Sequence, residues 1–255
     1  MEEQPSAADL AKLGRLSERT AVITGASSGA GRAIALALAA EGMGLCLVGR
    51  NADRMGEIEA AARQRGARQV LACRIDLAQG DAARHVVDQA AGCFARIDTL
   101  IHCAGAYKRA PVEQADIADL DRQYRINVRS VYLLTQLLLP QLRAARGDIV
   151  FLNSTQGLSA GPSVAQFATT QHALRAVADS VRSELNTDGV RVLVLHLGRM
   201  ATPRAQKVFS AEGRPFQPQL LLQPEDVATV VVTALRLPRT AEVTTVLMRP
   251  AIKSY

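Results

Sequence analysis

Thr24-Gly25-Ala26-Ser27-Ser28-Gly29-Ala30-Gly31-Arg32 follows a β-rich run at 20–24 and opens directly into an alanine-rich stretch from Ala33. Glycines at 25, 29 and 31 permit a tight turn and a close backbone approach to a ligand. The first N–H groups of the following helix lack intrahelical partners. Together with the helix dipole they make Ser27, Ser28, Gly29, Ala30 and Gly31 a candidate cradle for a pyrophosphate. About twenty residues on, where an acidic side chain would grip the ribose diol of NAD, the chain reads Leu47-Val48-Gly49-Arg50-Asn51. No carboxylate stands there. Gly49 leaves room and Arg50, beside Asn51, can pair with a 2′-phosphate through charge-assisted hydrogen bonds, which favours NADP(H) over NAD.

Positioning these groups requires a strand before the turn and a helix after it, and the same alternation recurs along the chain. Short β-rich runs lie at 20–24, 45–48, 69–75, 99–102, 148–153, 190–197 and 243–248, separated by helical patterns. Alternation of this kind implies βαβ units and a parallel sheet. The runs are apolar on both faces, as strands covered by helices on each side must be. The expected fold is α/β: a single doubly wound Rossmann-like domain with a mainly parallel sheet of about seven strands. It spans 20–255 and is preceded by an N-terminal extension, 1–19. After Ser163, Leu174, Val177, Val181 and Leu185 repeat at helical spacing and stop before Asp188-Gly189. The segment 199–223 has no clear periodicity and contains Pro203, Pro215 and Pro218, so it is expected to be an irregular substrate loop.

Composition narrows the classes of function. At 255 residues and 48% apolar composition the chain can bury one sizeable core. Its net charge of +6 comes from 30 basic residues interspersed among 24 acidic ones, with four tyrosines and five phenylalanines, so nucleic-acid binding is not indicated. Apolar stretches fall short of the ~20 residues that span a bilayer, and the first twenty residues carry no long apolar core, so a soluble, cytoplasmic protein is expected. Cys46, Cys73, Cys93 and Cys103 lack CxxC pairing and histidines at ligand spacing, which indicates neither a metal site nor a disulfide framework.

The Thr24 to Gly31 turn, Asp76-Leu77, His102-Cys103-Ala104-Gly105, Asn127 and the segment Leu197 to Thr202 together resemble the short-chain dehydrogenase/reductase family over nearly the whole chain. The resemblance implies that Asp76 and Leu77 approach the adenine and that Ala104 and Gly105 form the turn beside the adenosine ribose. Cys103 replaces the Asn usual before them. Gly198 and Thr202 match a segment whose Thr holds the nicotinamide carboxamide, with Leu197 in place of its Pro. It further implies homodimers or homotetramers formed on the helices beginning near Asp116 and Ser163.

The same resemblance assigns a reaction centre in which a Tyr donates a proton, a Lys four residues later lowers its pKa, and a Ser polarises the carbonyl. Ser154 matches the serine and Asn127 the asparagine that supports the lysine through water, but Phe167 and Gln171 stand where the Tyr and Lys belong. Phe has no ionisable proton. Gln carries no charge, although its amide can still bond ribose hydroxyls. Three repairs are open: an electronically activated substrate, a proton from Tyr107, Tyr124 or Thr170, or water relayed past Ser154. The candidate pocket comprises Ser154, Leu158, Phe167, Arg199 and the 200–222 segment, with Phe209 and Phe216 covering an apolar or aromatic small molecule.

The leading expectation is an atypical NADPH-dependent reductase of a quinone, enone or polycyclic or aromatic ketone. A non-redox isomerase, cyclase or dehydratase on the same scaffold, an NADP-binding pseudoenzyme, and an engineered inactive form of an ordinary reductase remain alternatives. His172, one residue beyond Gln171, points off the Phe167 face and is expected to be structural or solvent-exposed.

Overall fold

The computed structural model describes residues 15–252. The chain runs β1 (Thr20–Thr24), α1 (Gly29–Ala40), β2 (Gly44–Gly49), α2 (Ala52–Gln64), β3 (Gln69–Arg74), α3 (Ala82–Cys93), β4 (Thr99–His102), α4 (Ile117–Tyr124), α5 (Ser130–Ala145), β5 (Asp148–Ser154), α6 (Ala165–Leu185), β6 (Arg191–Leu197), α7 (Pro203–Ala211), α8 (Pro224–Arg236) and β7 (Thr245–Met248). The strands form one sheet in the order β3-β2-β1-β4-β5-β6-β7, every pairing parallel. This is the expected doubly wound α/β arrangement.

Apolar residues on both faces of the strands explain the layers. In β1, Ala21 and Ile23 pack into one core with Ile34 and Leu38 of α1, Met55 of α2 and Val231 of α8, whereas Val22 packs into the other. That second core receives Val86 of α3, Leu134 and Leu138 of α5 and Leu174 of α6. A strand with period-two side chains and apolar residues at every position can only be buried between two helical layers.

The strand order reverses between β1 and β4, with Thr24 paired to Val48 on one side and to His102 on the other. Chain connections leave the sheet in opposite directions from this point, which opens a crevice at the strands' C-terminal ends where open α/β sheets take ligands.

Two expectations need correction. The 199–223 segment is not irregular throughout: it contains α7, with Pro203 at its start and Thr202 accepting from Ala205 N at 3.2 Å, and a 3-10 turn at Pro218–Leu220. α7 is nine residues long and buries only Phe209, too little for a helical period to register in the sequence. The last strand starts at Thr245 rather than 243.

Residues 1–14 of the expected N-terminal extension lie outside the described residues. Within its remainder, Leu16 is buried in the first core and Arg19 forms an ion pair with Asp148. Among the described residues, no helix is long and apolar enough to cross a membrane, and no group of three or more His, Cys, Asp or Glu side chains is placed to hold a metal ion.

Candidate active site

Thr24, the last residue of β1, joins the two arms of the crevice. Its hydroxyl oxygen accepts from Cys103 N and Ala104 N at 3.1 and 3.2 Å, tying the end of β1 to the turn after β4. Gly25 has a φ of +68° and a Cβ there would lie 2.7 Å from Ala104 N, so the two turns pack backbone against backbone. At Gly31 a Cβ would lie 2.3 Å from Gly25 O, which lets α1 begin directly against the turn. Ser28 is the extended N-cap of α1, and its side chain makes no capping hydrogen bond. The opening N–H groups of α1 are thus left to an anion, and the residues present fit the pyrophosphate of a dinucleotide.

The other expected cofactor residues surround this turn. Arg50 is exposed at the end of β2, and Asn51 caps α2 by accepting from Arg54 N at 2.9 Å. Asp76 accepts from Ala78 N at 3.0 Å in the turn after β3, while Leu77 is buried in the second core. Gly198 donates to Met248 O at 2.8 Å. Thr202 lies over the glycine turn, since a Cβ on Gly29 would come within 3.3 Å of its methyl group.

At the reaction centre, Ser154 ends β5 and its hydroxyl oxygen accepts from Gln156 N at 3.2 Å. That contact uses a lone pair and not the hydroxyl proton. Asn153 donates to the carbonyl of Gln171 at 2.9 Å and thereby fastens β5 to α6. Gln171 is buried, and its amide approaches Thr170 Oγ1 at 3.5 Å. Phe167, half-buried, meets the ring of Tyr107 edge-on with centroids 4.8 Å apart.

Asn127 lies in a π-helical turn, Arg125–Arg129, between α4 and α5. The wider turn aims its amide at the β4 turn, where it accepts from Ala106 N at 2.7 Å and donates to Ala106 O at 2.9 Å. It also donates to Thr170 Oγ1 at 2.9 Å. In this chain Asn127 braces the β4 turn against α6.

His102 is a buried core side chain. His102, stacked on Phe151 and bonded to Thr135, is pushed down to about 3 by burial and stays neutral. His172 is exposed, as expected, with Nδ1 2.9 Å from Ala168 O.

A charged latch joins α7 to the β4 turn. Glu212 receives both arms of Arg199 at 2.7 Å and a further ion pair from Arg109. Hydrogen bonding from Arg199 leads the causes that hold its carboxyl below the usual range. Arg199 also lies over the Phe209 ring at 4.8 Å, and Phe209 packs edge-on against Phe216. Phe209 is thus the small core of the 199–223 segment itself. Sequence reasoning took Thr24 only as the start of the glycine turn and missed Arg109 and Glu212. A hydroxyl residue directly before the first glycine signals the first, whereas a pair 103 residues apart leaves no local trace.

An all-parallel sheet with a glycine-lined crevice at its switch point defines a Rossmann-type protein. Residues 19–213 match the short chain dehydrogenase family. An uncharacterized oxidoreductase of Staphylococcus epidermidis is 30% identical over 243 residues, 93% of this chain and 100% of that protein. An alcohol dehydrogenase from the archaeon Thermococcus sibiricus, solved with 5-hydroxy-NADP, superposes with a TM-score of 0.83 at 25% identity, covering 93% of this chain and 98% of that one. A metagenomic short-chain oxidoreductase in complex with NADP gives a TM-score of 0.79 at 26% identity, covering 94% of this chain and 100% of that one. The chain belongs to the short chain dehydrogenase family.

Proposed function

We propose that the protein is an NADPH-dependent reductase of an activated carbonyl, a quinone, enone or polycyclic or aromatic ketone, that works without the family's Tyr at residue 167. One observation carries this reading: Gly25 and Gly31 leave no room for a Cβ at the turn before α1, Thr202 lies over Gly29 and Arg50 is exposed at the end of β2, while the ionisable pair is replaced by Phe167 and Gln171. The two similar structures solved with NADP-type ligands support the choice of cofactor.

The α1 N–H groups would hold the pyrophosphate, Arg50 the 2′-phosphate, and Gln171 and Thr202 the nicotinamide side. When bound, the reduced nicotinamide supplies a hydride. Ser154 donates its hydroxyl proton in a hydrogen bond to the substrate oxygen and polarises the carbonyl. Because a positioned general acid is worth roughly 10²- to 10⁴-fold, its loss at residue 167 is least costly where the reduced product is a stabilised anion. That selects quinones, enones and aromatic ketones over simple ketones.

A cytoplasmic setting accords with Cys46 and Cys73, whose sulfurs lie 3.6 Å apart as free thiols. Self-association into a dimer or tetramer accords with exposed Ile117 and Tyr124 on α4 and Tyr132 on α5.

Following NADPH oxidation at about 340 nm tests the reading against quinones, enones and simple ketones. The chain as it stands is expected to turn over an activated carbonyl. Phe167→Tyr with Gln171→Lys is expected to extend turnover to simple ketones, by roughly 10²- to 10⁴-fold. NADPH binding without turnover of any carbonyl, reversed only by the double replacement, would instead identify a dead or repurposed reductase.

A further inference from the structure

The segment from Gly105 to Ala110, between β4 and α4, is fastened at four successive places. Arg204 donates to Gly105 O at 2.7 Å, and Asn127 holds both the N–H and the carbonyl of Ala106. Gln123 accepts from Lys108 N at 3.1 Å, and Ser163 O accepts from Ala110 N at 3.0 Å. Tyr107 lies between these pins. Its ring stands edge-on to Phe167 with an interplanar angle of 74°.

Ser154 hydrogen-bonds the substrate oxygen in the reading above; of the three remaining candidate donors, Tyr107, Tyr124 and Thr170, the structure separates one. Tyr124 is 48% exposed at the end of α4. Thr170 is fully buried, and its single proton is committed to Phe167 O at 2.8 Å while its oxygen receives Asn127. Only Tyr107 of the three lies against the ring of Phe167.

We infer that Tyr107 is the proton donor of the reduction, its phenol standing in for the one that Phe167 lacks. The inference rests on the reductase reading above. As the carbonyl carbon accepts hydride from the reduced nicotinamide, the carbonyl oxygen takes the proton of Tyr107, and the phenolate regains one from water. Ketone, NADPH and one proton give alcohol and NADP⁺. Burial pushes the Tyr107 phenol up, keeping it protonated at neutral pH, while Arg109, Arg199 and Arg204 oppose this and Glu212 adds to it. Those guanidiniums are the groups that would stabilise the phenolate left after transfer.

The experiment compares the native protein, Y107F and Y107F/F167Y with NADPH and the aromatic ketone turned over fastest, whose alkoxide must take up a proton to become the alcohol, recording kcat, KM, NADPH affinity by fluorescence titration, and the pH profile. Y107F keeps the ring contact and removes only the hydroxyl. Expected is a fall in kcat of about 10²- to 10⁴-fold with KM and NADPH affinity unchanged. The native rate should fall at alkaline pH as the phenol ionises, and this limb should vanish in Y107F. Y107F/F167Y should recover turnover by presenting a phenol from α6. A Y107F protein with native kcat and pH profile overturns the inference alone. So does a kcat loss matched by lost NADPH affinity, which marks a structural role. NADPH binding by the native protein with no turnover of any carbonyl overturns the reductase reading and Tyr107's role with it.

Discussion

A Cβ added at Gly49 would lie 2.5 Å from Met55 Sδ and 3.4 Å from Ser27 Oγ, so a carboxylate-bearing residue at this strand end requires the fully buried Met55 to move. The neighbouring Arg50 is exposed beside the cradle formed by Ser28 to Gly31. A dinucleotide with a bare ribose diol would find no acceptor at Gly49, whereas a 2′-phosphate would find a cation. A hydrogen bond to a charged group contributes about 1.5 to 3 kcal/mol. Arg50→Ala is therefore expected to weaken NADPH binding by about ten- to hundredfold while leaving NADH affinity unchanged, as read by fluorescence titration with each nucleotide. Equal loss for both would show that Arg50 acts on the fold or the pyrophosphate rather than on the 2′ position. This site was legible in the sequence because glycine geometry and a strand-end charge are local properties. The brace formed by Asn127 was less so: a π-helical turn shifts backbone bonding without changing composition.

Helix α4 buries only Gln123 while exposing Ile117 at 68% and Tyr124 at 48%. These two residues are seven apart and therefore lie on one face, with Leu120 between them lining a groove of about 480 Å³ shared with Asp121, Arg125 and Thr169 of α6. α4 continues through the π-helical turn into α5, and a second copy covering this stripe would bury apolar surface that the single chain leaves exposed. Size exclusion with light scattering is expected to give a dimer or tetramer, and Ile117→Lys with Tyr124→Glu to shift it toward monomer with a lower Tm. A monomeric native protein would remove this role for α4. The central strands could be read from sequence because each needs only a short run apolar on both faces. The helix inside 199–223 could not, because α7 is nine residues long, buries only Phe209, and is held in part by the remote pair Glu212 with Arg109. Register between α7 and the β4 turn is a tertiary property, and the Tyr107–Phe167 contact depends on long-range placement of the same kind.

Across the whole molecule, the two ends of the sheet are built for different tasks. The C-terminal ends of the strands carry the crevice, and the N-terminal ends are clamped by Asp148 at the start of β5. This buried carboxylate receives Arg191, at the start of β6, at 2.7 Å and Arg239 at 3.1 Å, together with Arg19 just before β1. Burial alone would raise its pKa, but the combined attraction of Arg19, Arg239 and Arg191 holds it below the usual carboxylate value. A carboxyl whose folded pKa is depressed stabilises the fold above its unfolded pKa, near 3.9, and that contribution is lost as pH falls through the folded value. Asp148→Asn is expected to cost about 3 to 5 kcal/mol at neutral pH because it leaves three buried or nearly buried guanidiniums without their anion. Urea unfolding of both proteins should show this gap constant from neutral pH down to about pH 4 and closing below it. A gap that persists undiminished at lower pH would assign the loss to packing rather than to charge. NADPH affinity of the folded variant should be unchanged, since Asp148 lies at the strand ends opposite the glycine turn, and a parallel loss of binding would mean that the clamp also sets the geometry of the crevice.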